Sequence, residues 1–164
     1  MAAASIAEVE GRNSDDFKGE MIAAHNFFRD QHGARPLVWN KYLAQKAQNW
    51  ANTCDWSHDS TGENLVGSTG FTNWGALVNM WGSERTKYNW GKPGFSVNTG
   101  HFTQVVWKNS MSLGCGWNIC SGGRGKANGV YVVCKYDPVG NYLGQFPQNV
   151  GMQMKGQPRA VWRE

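Results

Sequence analysis

The sequence predicts one α+β domain, with helices in the first half of the chain and strands in the second. Apolar residues recur at spacings of three and four before residue 90, which is typical of amphipathic helices. Later segments are rich in Val, Tyr and Trp with alternating polarity, which favours strands. Helices followed by strands indicate an antiparallel sheet with helices packed on it. A length of 164 residues suits a single domain of this kind.

Two amphipathic helices are predicted first. The earlier one has candidate N-caps at Ser14 and Asp15 and ends before Pro36. Its apolar stripe consists of Phe17, Met21, Ala24 and Phe28. The next helix starts at Asn40. Its apolar stripe consists of Leu43, Ala47, Trp50 and Cys54.

A third helix is predicted to begin near Thr72 or Asn73. Its apolar stripe consists of Leu77, Trp81 and Tyr88. Glu84 falls on the same stripe, where a carboxylate is costly unless it is paired. We therefore expect Glu84 to have a partner.

The second half of the chain predicts three strands, at residues 105–107, 113–120 and 130–136. Residues 121–129 (SGGRGKANG) are rich in Gly and predict a hairpin loop between the last two strands. The two ends of the chain show no periodicity, and we expect both to be mobile. This divides the chain into a leader or tail at 1–14, a domain at 15–150 and a C-terminal tail at 151–164.

Composition and charge exclude some classes of partner. Nine Trp and 21 Gly with only 17% charged residues favour a loop-rich fold with an aromatic core. The net charge is +4, but the basic residues are scattered, so we expect no nucleic-acid partner and only a mild preference for anionic surfaces. No run of eighteen apolar residues predicts a membrane span.

Four cysteines occur singly, without a CxxC pair. Two disulfides are the simplest interpretation, and free or metal-bound thiols in a reducing cytosol are the alternative. Four cysteines allow three pairings, which the sequence leaves open. Disulfides would imply secretion to the extracellular space.

Two imidazoles and two carboxylates stand out as candidate ligands. They are His58, Glu63, Glu84 and His101. Neutral nitrogen and anionic oxygen ligands together suit a divalent cation. The two histidines are far apart in sequence and nothing resembles HExxH, so buried histidines satisfied by hydrogen bonds are the alternative.

Five segments resemble the signature blocks of the CAP superfamily, which comprises cysteine-rich secretory, antigen 5 and pathogenesis-related 1 proteins. They are HNFFR at 25–29, GENL at 62–65, WGSERTKY at 81–88, GHFTQVVW at 100–107 and YVVCKYDPVGNY at 131–142. The resemblance covers about residues 17–150 and implies an α-β-α sandwich, with helices on both faces of a central antiparallel sheet. Four cysteines resemble a fungal pathogenesis-related 1-like type more than the six of plant members.

The resemblance also assigns roles to these residues. His58, Glu63, Glu84 and His101 match the cavity tetrad of the family. His58 and His101 would hold a divalent metal, zinc or magnesium, that the fold does not require, while the two glutamates orient water or the imidazoles. The family pairing would join Cys54 to Cys120 and Cys115 to Cys134. Asp59 departs from the more usual Ser, which affects the expected shape of its loop.

Three aromatic residues follow the third predicted helix. They are Tyr88, Trp90 and Phe95. Their spacing resembles the caveolin-binding-like motif of fungal relatives, in which this loop binds sterols. A satellite cluster packed on the core is the alternative interpretation. Trp90 stands where relatives commonly have Phe, so a different pocket size is expected.

Three functions are compared on these grounds. The leading hypothesis is a secreted protein that binds a sterol or a fatty acid at the aromatic loop. A metal-dependent hydrolase using the tetrad is less favoured, because no GxSxG motif is present and no free thiol is expected. A signalling, defence or virulence factor with a host or membrane-surface contact is the third. The sequence predicts no particular oligomeric state.

Overall fold

The computed structural model describes residues 14–164. The helices are α1 (Ser14–Gln31), α2 (Lys41–Ala51), α3 (Trp74–Gly82), α4 (Gly100–Val105) and α5 (Phe146–Asn149). A 3₁₀ turn, Ser83–Lys87, continues α3. The strands are β1 (Val38–Trp39), β2 (Glu63–Ser68), β3 (Ser112–Ser121) and β4 (Asn128–Asp137). The leader or tail expected at 1–14 lies almost wholly outside the described residues.

The four strands form one sheet in the order β1-β3-β4-β2. The central pair is the antiparallel hairpin β3-β4, as the Gly-rich loop predicts, and β2 is antiparallel to β4. The short strand β1 runs parallel to β3. In this register Glu63 lies opposite Lys135, and Cys115 lies opposite Cys134.

Helix α2 covers one face of the sheet at very short range. Its N-cap is Asn40, whose side chain accepts a hydrogen bond from the Leu43 amide. A Cβ atom at Gly114 would lie 2.2 Å from the Ala44 nitrogen, and one at Gly116 would lie 2.4 Å from the Gln48 Cα. The two glycines therefore let the helix backbone rest directly on β3.

The opposite face of the sheet carries α1, α3 and α4. The larger apolar core lies here, and its fully buried members include Met21, Phe28, Trp74, Phe102 and Trp107. A smaller core lies under α2 and includes Ala47, Ala51, Tyr131 and Val133. Two helical layers thus enclose a mainly antiparallel sheet, which confirms the α+β class and the α-β-α sandwich.

Two local predictions are wrong. Residues 105–107 are expected as a strand, but Val105 is the last residue of α4 and the next two residues follow the helix. The prediction is wrong because a short buried apolar run does not distinguish a strand from a helix. Cys54 is not part of the second helix, which ends at Ala51, and it adopts a left-handed backbone with φ of 57°. The strand β2 is an addition, since the sequence predicts no strand before residue 105.

The third helix is confirmed, with Asn73 as its N-cap accepting from the Ala76 amide at 2.8 Å. At its end, Gly82 faces the Phe28 ring, where a Cβ atom would lie 2.3 Å from the ring carbons. This close approach carries the chain into the 3₁₀ turn that holds Glu84 and Arg85.

The C-terminal segment, residues 151–164, has no helix or strand but is bound to the domain. The Met154 amide donates to the Gln31 carbonyl at 2.7 Å, and the Trp162 amide donates to the Asn79 side chain at 2.8 Å. The Arg85 guanidinium donates to the Ala160 carbonyl. A docked segment therefore stands where a mobile tail was expected.

Both disulfides implied by the family resemblance are present, Cys54–Cys120 and Cys115–Cys134. The first ties the loop after α2 to the end of β3, and the second joins the two central strands. Within residues 14–164, no helix combines the length and apolar character that a membrane crossing requires.

Candidate functional site

The first half of the candidate site is the pair His58 and Glu63. His58 lies on the loop after α2, and Glu63 is the first residue of β2. The imidazole Nδ1 is 3.1 Å from Glu63 Oε1, which also accepts from the Asp59 amide at 2.6 Å. The Glu63 side chain is fully buried, whereas that of His58 is 60% exposed. The Glu63 carboxylate is therefore fixed, whereas the His58 imidazole faces solvent.

A buried lysine completes this half of the site. Lys135 on β4 donates to Glu63 Oε2 at 3.0 Å, to Asp59 Oδ2 at 2.9 Å and to Ser60 Oγ at 2.9 Å. Lys135 and Asp59 thus form the frame that holds the loop before β2. Asp59, the residue that departs from the more usual Ser, forms an ion pair with Lys135.

The charge of Glu63 is stabilised by this frame. Burial alone would raise the pKa of the Glu63 carboxyl, but hydrogen bonds from His58, Lys135 and the Asp59 amide, together with the Lys135 charge, lower it below its usual value. In return, the two carboxylates outweigh burial and raise the pKa of Lys135. Glu63 is therefore a fixed anion and not a proton donor at neutral pH.

The second half of the site is the pair His101 and Glu84. His101 Nδ1 lies 2.8 Å from Glu84 Oε2, and Glu84 Oε1 accepts from the Phe102 amide at 3.0 Å. The Trp81 ring stacks on His101 with centroids 6.1 Å apart. The carboxylate expected to need a partner on the third apolar stripe has two, and both come from the start of α4.

A hydrogen-bonded chain links this half to α1. Asn64 donates to the His101 carbonyl at 3.0 Å and to the Tyr136 hydroxyl at 3.2 Å. The Tyr136 hydroxyl lies 2.7 Å from His25 Nε2, and His25 Nδ1 lies 2.7 Å from the Met21 carbonyl. Burial lowers the pKa of His25 to about 4, so the imidazole is neutral and accepts from Tyr136. His25 therefore has a structural role.

The four tetrad residues form two His–Glu pairs. Within residues 14–164, no three His, Cys, Asp or Glu side chains converge closely enough to hold a metal ion. Each imidazole uses Nδ1 for its carboxylate, which leaves Nε2 as the nitrogen that a metal would take. The donors are chemically suited to a divalent metal, but they do not form a preassembled centre.

The first two aromatic residues of the predicted sterol loop pack on the body of the domain. Tyr88 is 7% exposed, and its ring lies 4.5 Å from that of Trp90 in an edge-on contact. Trp90 stacks on His32 with centroids 5.9 Å apart and also contacts Phe102. These two rings therefore pack at the edge of the core, as expected if the aromatic residues form a satellite cluster packed on it.

The third aromatic residue is different. Phe95 is 53% exposed, and its ring lies against Gly100, where a Cβ atom would come within 2.9 Å. Val97 in the same loop is 81% exposed. The loop therefore presents apolar surface to solvent next to the start of α4.

Two buried hydroxyl groups at the ends of this loop lack partners. They belong to Tyr88 and Thr99, which is 2% exposed, and neither has a hydrogen bond among residues 14–164. The Gly94 backbone faces the Tyr88 hydroxyl, but the contact does not meet hydrogen-bond geometry. An unsatisfied buried hydroxyl is costly and needs an explanation.

The comparisons with known proteins agree with these features. The model of the cysteine-rich secretory protein family, CAP, matches residues 22–136, which include the tetrad, all of β3 and all of β4 except its last residue. The chain belongs to the CAP family. This confirms the resemblance found in the sequence.

Relatives of this CAP domain occur in plants and fungi. Pathogenesis-related leaf protein 4 of Solanum lycopersicum is 39% identical over 90% of this chain and 91% of its own length. Secreted protein PRY1 of Candida albicans is 38% identical over 90% of this chain but only 35% of its own length. The CAP domain is thus pathogenesis-related 1-like, and identity does not favour a fungal over a plant type.

A solved structure gives the same fold. The crystal structure of hookworm platelet inhibitor matches with a TM-score of 0.70 and 25% identity, over 85% of this chain and 78% of that chain. The agreement supports the α-β-α sandwich of the CAP domain.

Sequence reasoning missed Lys135 and Asn64 in the CAP domain. A lysine inside the apolar run of β4 was a usable signal, because a buried ammonium needs an anion just as Glu84 needs a cation or donor. Asn64 carries no such signal, since an amide beside Glu63 is unremarkable until the strand register turns it towards His101.

Proposed function

We propose that this CAP domain is a secreted lipid-binding protein that takes up a sterol at the aromatic loop, residues 88–99. The observation that carries the proposal is the combination of exposed Phe95 with the unpartnered hydroxyls of Tyr88 and Thr99. An apolar ligand with a single oxygen at one end would cover the exposed Phe95 ring and supply a hydrogen-bond partner for one of these hydroxyls.

The apolar part of the argument rests on Phe95 and Val97. Both are exposed on a loop that contains Pro93 and two glycines, so neither is buried by regular structure. Covering a Phe side chain fully contributes on the order of 1.5 to 3 kcal/mol. A flat, rigid ring system such as a sterol would bury these side chains with little loss of ligand entropy.

The polar part rests on the two hydroxyls. A free sterol carries a single hydroxyl oxygen at its end, which can accept a hydrogen bond from Tyr88 or Thr99. Satisfying a buried donor recovers about 1 to 3 kcal/mol. A fatty acid has a charged end, which is less suited to neutral hydroxyls in a buried position.

Secretion is supported by the two disulfides and by the name of a relative. Two disulfides persist in an oxidising compartment. One relative, which matches over 90% of this chain, is named secreted protein PRY1. We therefore propose an extracellular location.

We also propose that His58 and His101 bind zinc or magnesium weakly, each through Nε2, and that the fold does not depend on the metal. Their Nδ1 contacts with Glu63 and Glu84 support this orientation. A hydrolase function would require this metal and is not favoured by any further contact. Calorimetric titration with zinc should show weak binding that is lost in His101→Ala and leaves the thermal midpoint nearly unchanged.

The test of the main proposal is binding of labelled cholesterol and ergosterol to the purified protein. Saturable binding should be lost in the triple variant Tyr88→Ala, Trp90→Ala and Phe95→Ala, and Phe95→Ala alone should weaken it about tenfold. The control is Tyr42→Ala, because Tyr42 is an aromatic residue exposed on α2 away from the loop. Equal binding by the wild type and the triple variant would contradict the assignment of the loop. Absence of binding by the wild type would favour the signalling or host-contact hypothesis.

A further inference from the structure

The side chain of Arg29 on α1 is buried and has no carboxylate partner among residues 14–164. Its guanidinium donates to four carbonyl groups at 2.6 to 3.0 Å. These carbonyls belong to Arg35, Val105, Trp107 and Ser110. Arg29 is wholly buried, and burial lowers its pKa to about 10, which still leaves it charged at neutral pH. A full positive charge is therefore held inside the domain by neutral groups alone.

This charge lies behind a surface cavity. The loop after α1 and the turn before β3 form the two walls, and Arg29 is bonded to both, through the Arg35 carbonyl and the Ser110 carbonyl. The cavity has a volume of about 570 Å³. Its lining consists of residues 33–36, Val38, residues 108–111 and Asn149.

Two more cations line the cavity itself. Arg35 and Lys108 are exposed on opposite walls, and neither forms an ion pair with any residue in the described part of the chain. No Asp or Glu is among the lining residues. The two lining cations and the buried Arg29 behind them give the cavity a positive potential, which is strongest where low-dielectric protein surrounds it.

The acidic residues in the vicinity do not cancel this potential. Asp30 on α1 is engaged by Lys155 at 2.9 Å. Asp137, at the end of β4, lines a different cavity, the one between α2 and the loop before β2. Asp137 adjoins the turn before β3 only through its backbone carbonyl, which accepts from the Met111 amide at 2.9 Å, and the charged residues of the lining are both cations.

The rim of the cavity is apolar on one side. Val38 is 68% exposed and Met111 is 59% exposed, and the Val38 amide donates to the Met111 carbonyl at 3.0 Å. The backbones of these two residues are thus held next to each other, which places two exposed apolar side chains beside the cations. Pro36 extends the apolar surface on the same wall.

The walls are held in place by backbone contacts. The Asn149 carbonyl accepts from the Lys108 amide at 3.0 Å, and its side chain accepts from the Asn109 amide at 3.0 Å. The Ser110 hydroxyl donates to the Pro138 carbonyl at 2.7 Å. A ligand would therefore meet a formed site and would need to order only the exposed side chains of Arg35 and Lys108.

We propose that this cavity binds an anionic amphiphile, with a phosphate or carboxylate head group between Arg35 and Lys108 and an alkyl chain on Val38 and Met111. A guanidinium matches the two oxygens of either head group, and the ammonium adds a point charge from the other wall. The site is separate from the aromatic loop and does not depend on sterol binding.

The test is calorimetric titration of the full chain with decyl phosphate below its micelle concentration. One saturable site is expected, and the double variant Arg35→Ala, Lys108→Ala should weaken binding about tenfold or more. The matched control is Lys41→Ala, Arg124→Ala, which removes the same charge from exposed positions outside the cavity and should leave affinity unchanged. Equal weakening in the control, or no weakening in the cavity variant, would overturn the site.

Further ligands and variants separate the two halves of the proposal. Inorganic phosphate should bind about tenfold more weakly than decyl phosphate, and Val38→Ser with Met111→Ser should remove most of that difference. If inorganic phosphate binds as tightly as decyl phosphate, the apolar half is wrong. Decanoate distinguishes a carboxylate from a phosphate head group. Phe95→Ala, which removes only the half-exposed ring of the aromatic loop, should retain decyl phosphate binding, and a loss of binding in this variant would contradict the cavity.

Discussion

The ammonium group of Lys135 lies 3.0 Å from the carboxylate of Glu63, and both side chains are buried between β2, β4 and the loop before β2. This ion pair fixes one histidine of the tetrad indirectly, because Glu63 holds His58 and Lys135 holds Glu63. The two His–Glu pairs are therefore unequal, since Glu84 has no such ammonium partner among residues 14–164.

Replacing Lys135 by Met should destabilise the domain by about 3 kcal/mol, because it leaves the buried Glu63 carboxylate without its cation. Urea unfolding at pH 7 would measure this change. The same substitution at Lys126, whose pair with Asp55 is substantially exposed, should cost less than about 1 kcal/mol. Adding Glu63→Gln to Lys135→Met should recover part of the loss, and a double variant that is less stable than either single one would contradict the coupling.

The stability of the domain should fall in mild acid because of His32. Burial lowers the pKa of His32 to about 4, against about 6.5 when unfolded, and the hydrogen bond to the Gly151 carbonyl only partly opposes this. Between these values the unfolded state binds more protons, so the unfolding free energy decreases as pH falls from 6.5 towards 4, by up to about 3 kcal/mol.

His32→Gln tests this pH dependence, since Gln can still donate to Gly151. Urea unfolding at pH 7 and pH 4.5 should show a smaller difference for the variant than for the wild type. The buried His25 has a similarly lowered pKa and should supply the pH dependence that remains. An unchanged pH dependence in His32→Gln would show that His32 is not responsible.

The aromatic loop should separate stability from binding. Trp90→Ala removes contacts with His32, Tyr88 and Phe102 and should cost about 2 to 3 kcal/mol of unfolding free energy. Phe95→Ala should change stability by less than about 0.5 kcal/mol, because the ring is half-exposed, while it weakens sterol binding. Thermal unfolding and sterol binding on the same preparations measure both effects. A large loss of stability in Phe95→Ala would mean that the ring is structural.

Gly116→Ala should be poorly tolerated, because the added Cβ would lie 2.4 Å from the Gln48 Cα in α2. The helix would have to move away from β3, at a cost of about 1 to 3 kcal/mol. Gly94→Ala is the control, since nothing lies within 4 Å of a Cβ at that position. Chemical unfolding compares the two, and equal stabilities would show that α2 adjusts freely.

Much of the fold was accessible from local patterns. The apolar spacing and the Asn73 N-cap predict α3, and the alternation of β3 and β4 around a Gly-rich loop predicts the hairpin. Residues 105–107 could not be resolved in the same way, because Val105, Val106 and Trp107 are all buried and show neither helical nor strand periodicity.

The candidate site was less accessible. The resemblance indicated the four tetrad residues, but no sequence pattern states that Nδ1 of each histidine faces a carboxylate or that the pairs stay separate. These facts depend on strand register, which places Lys135 opposite Glu63. The unpartnered Tyr88 hydroxyl depends on how the loop packs after the 3₁₀ turn, and local sequence does not encode that packing.

The docking of residues 151–162 against α1 and α3 has a practical consequence. Trp162 is held by two hydrogen bonds to Asn79, and its ring covers Gly75, so the end of the chain is anchored to α3 at residue 162. A fluorophore or fusion partner attached after Glu164 would therefore leave from a fixed point beside α3. The distance between this group and a second label on the molecule would therefore report the geometry of the domain and not the motion of a flexible linker.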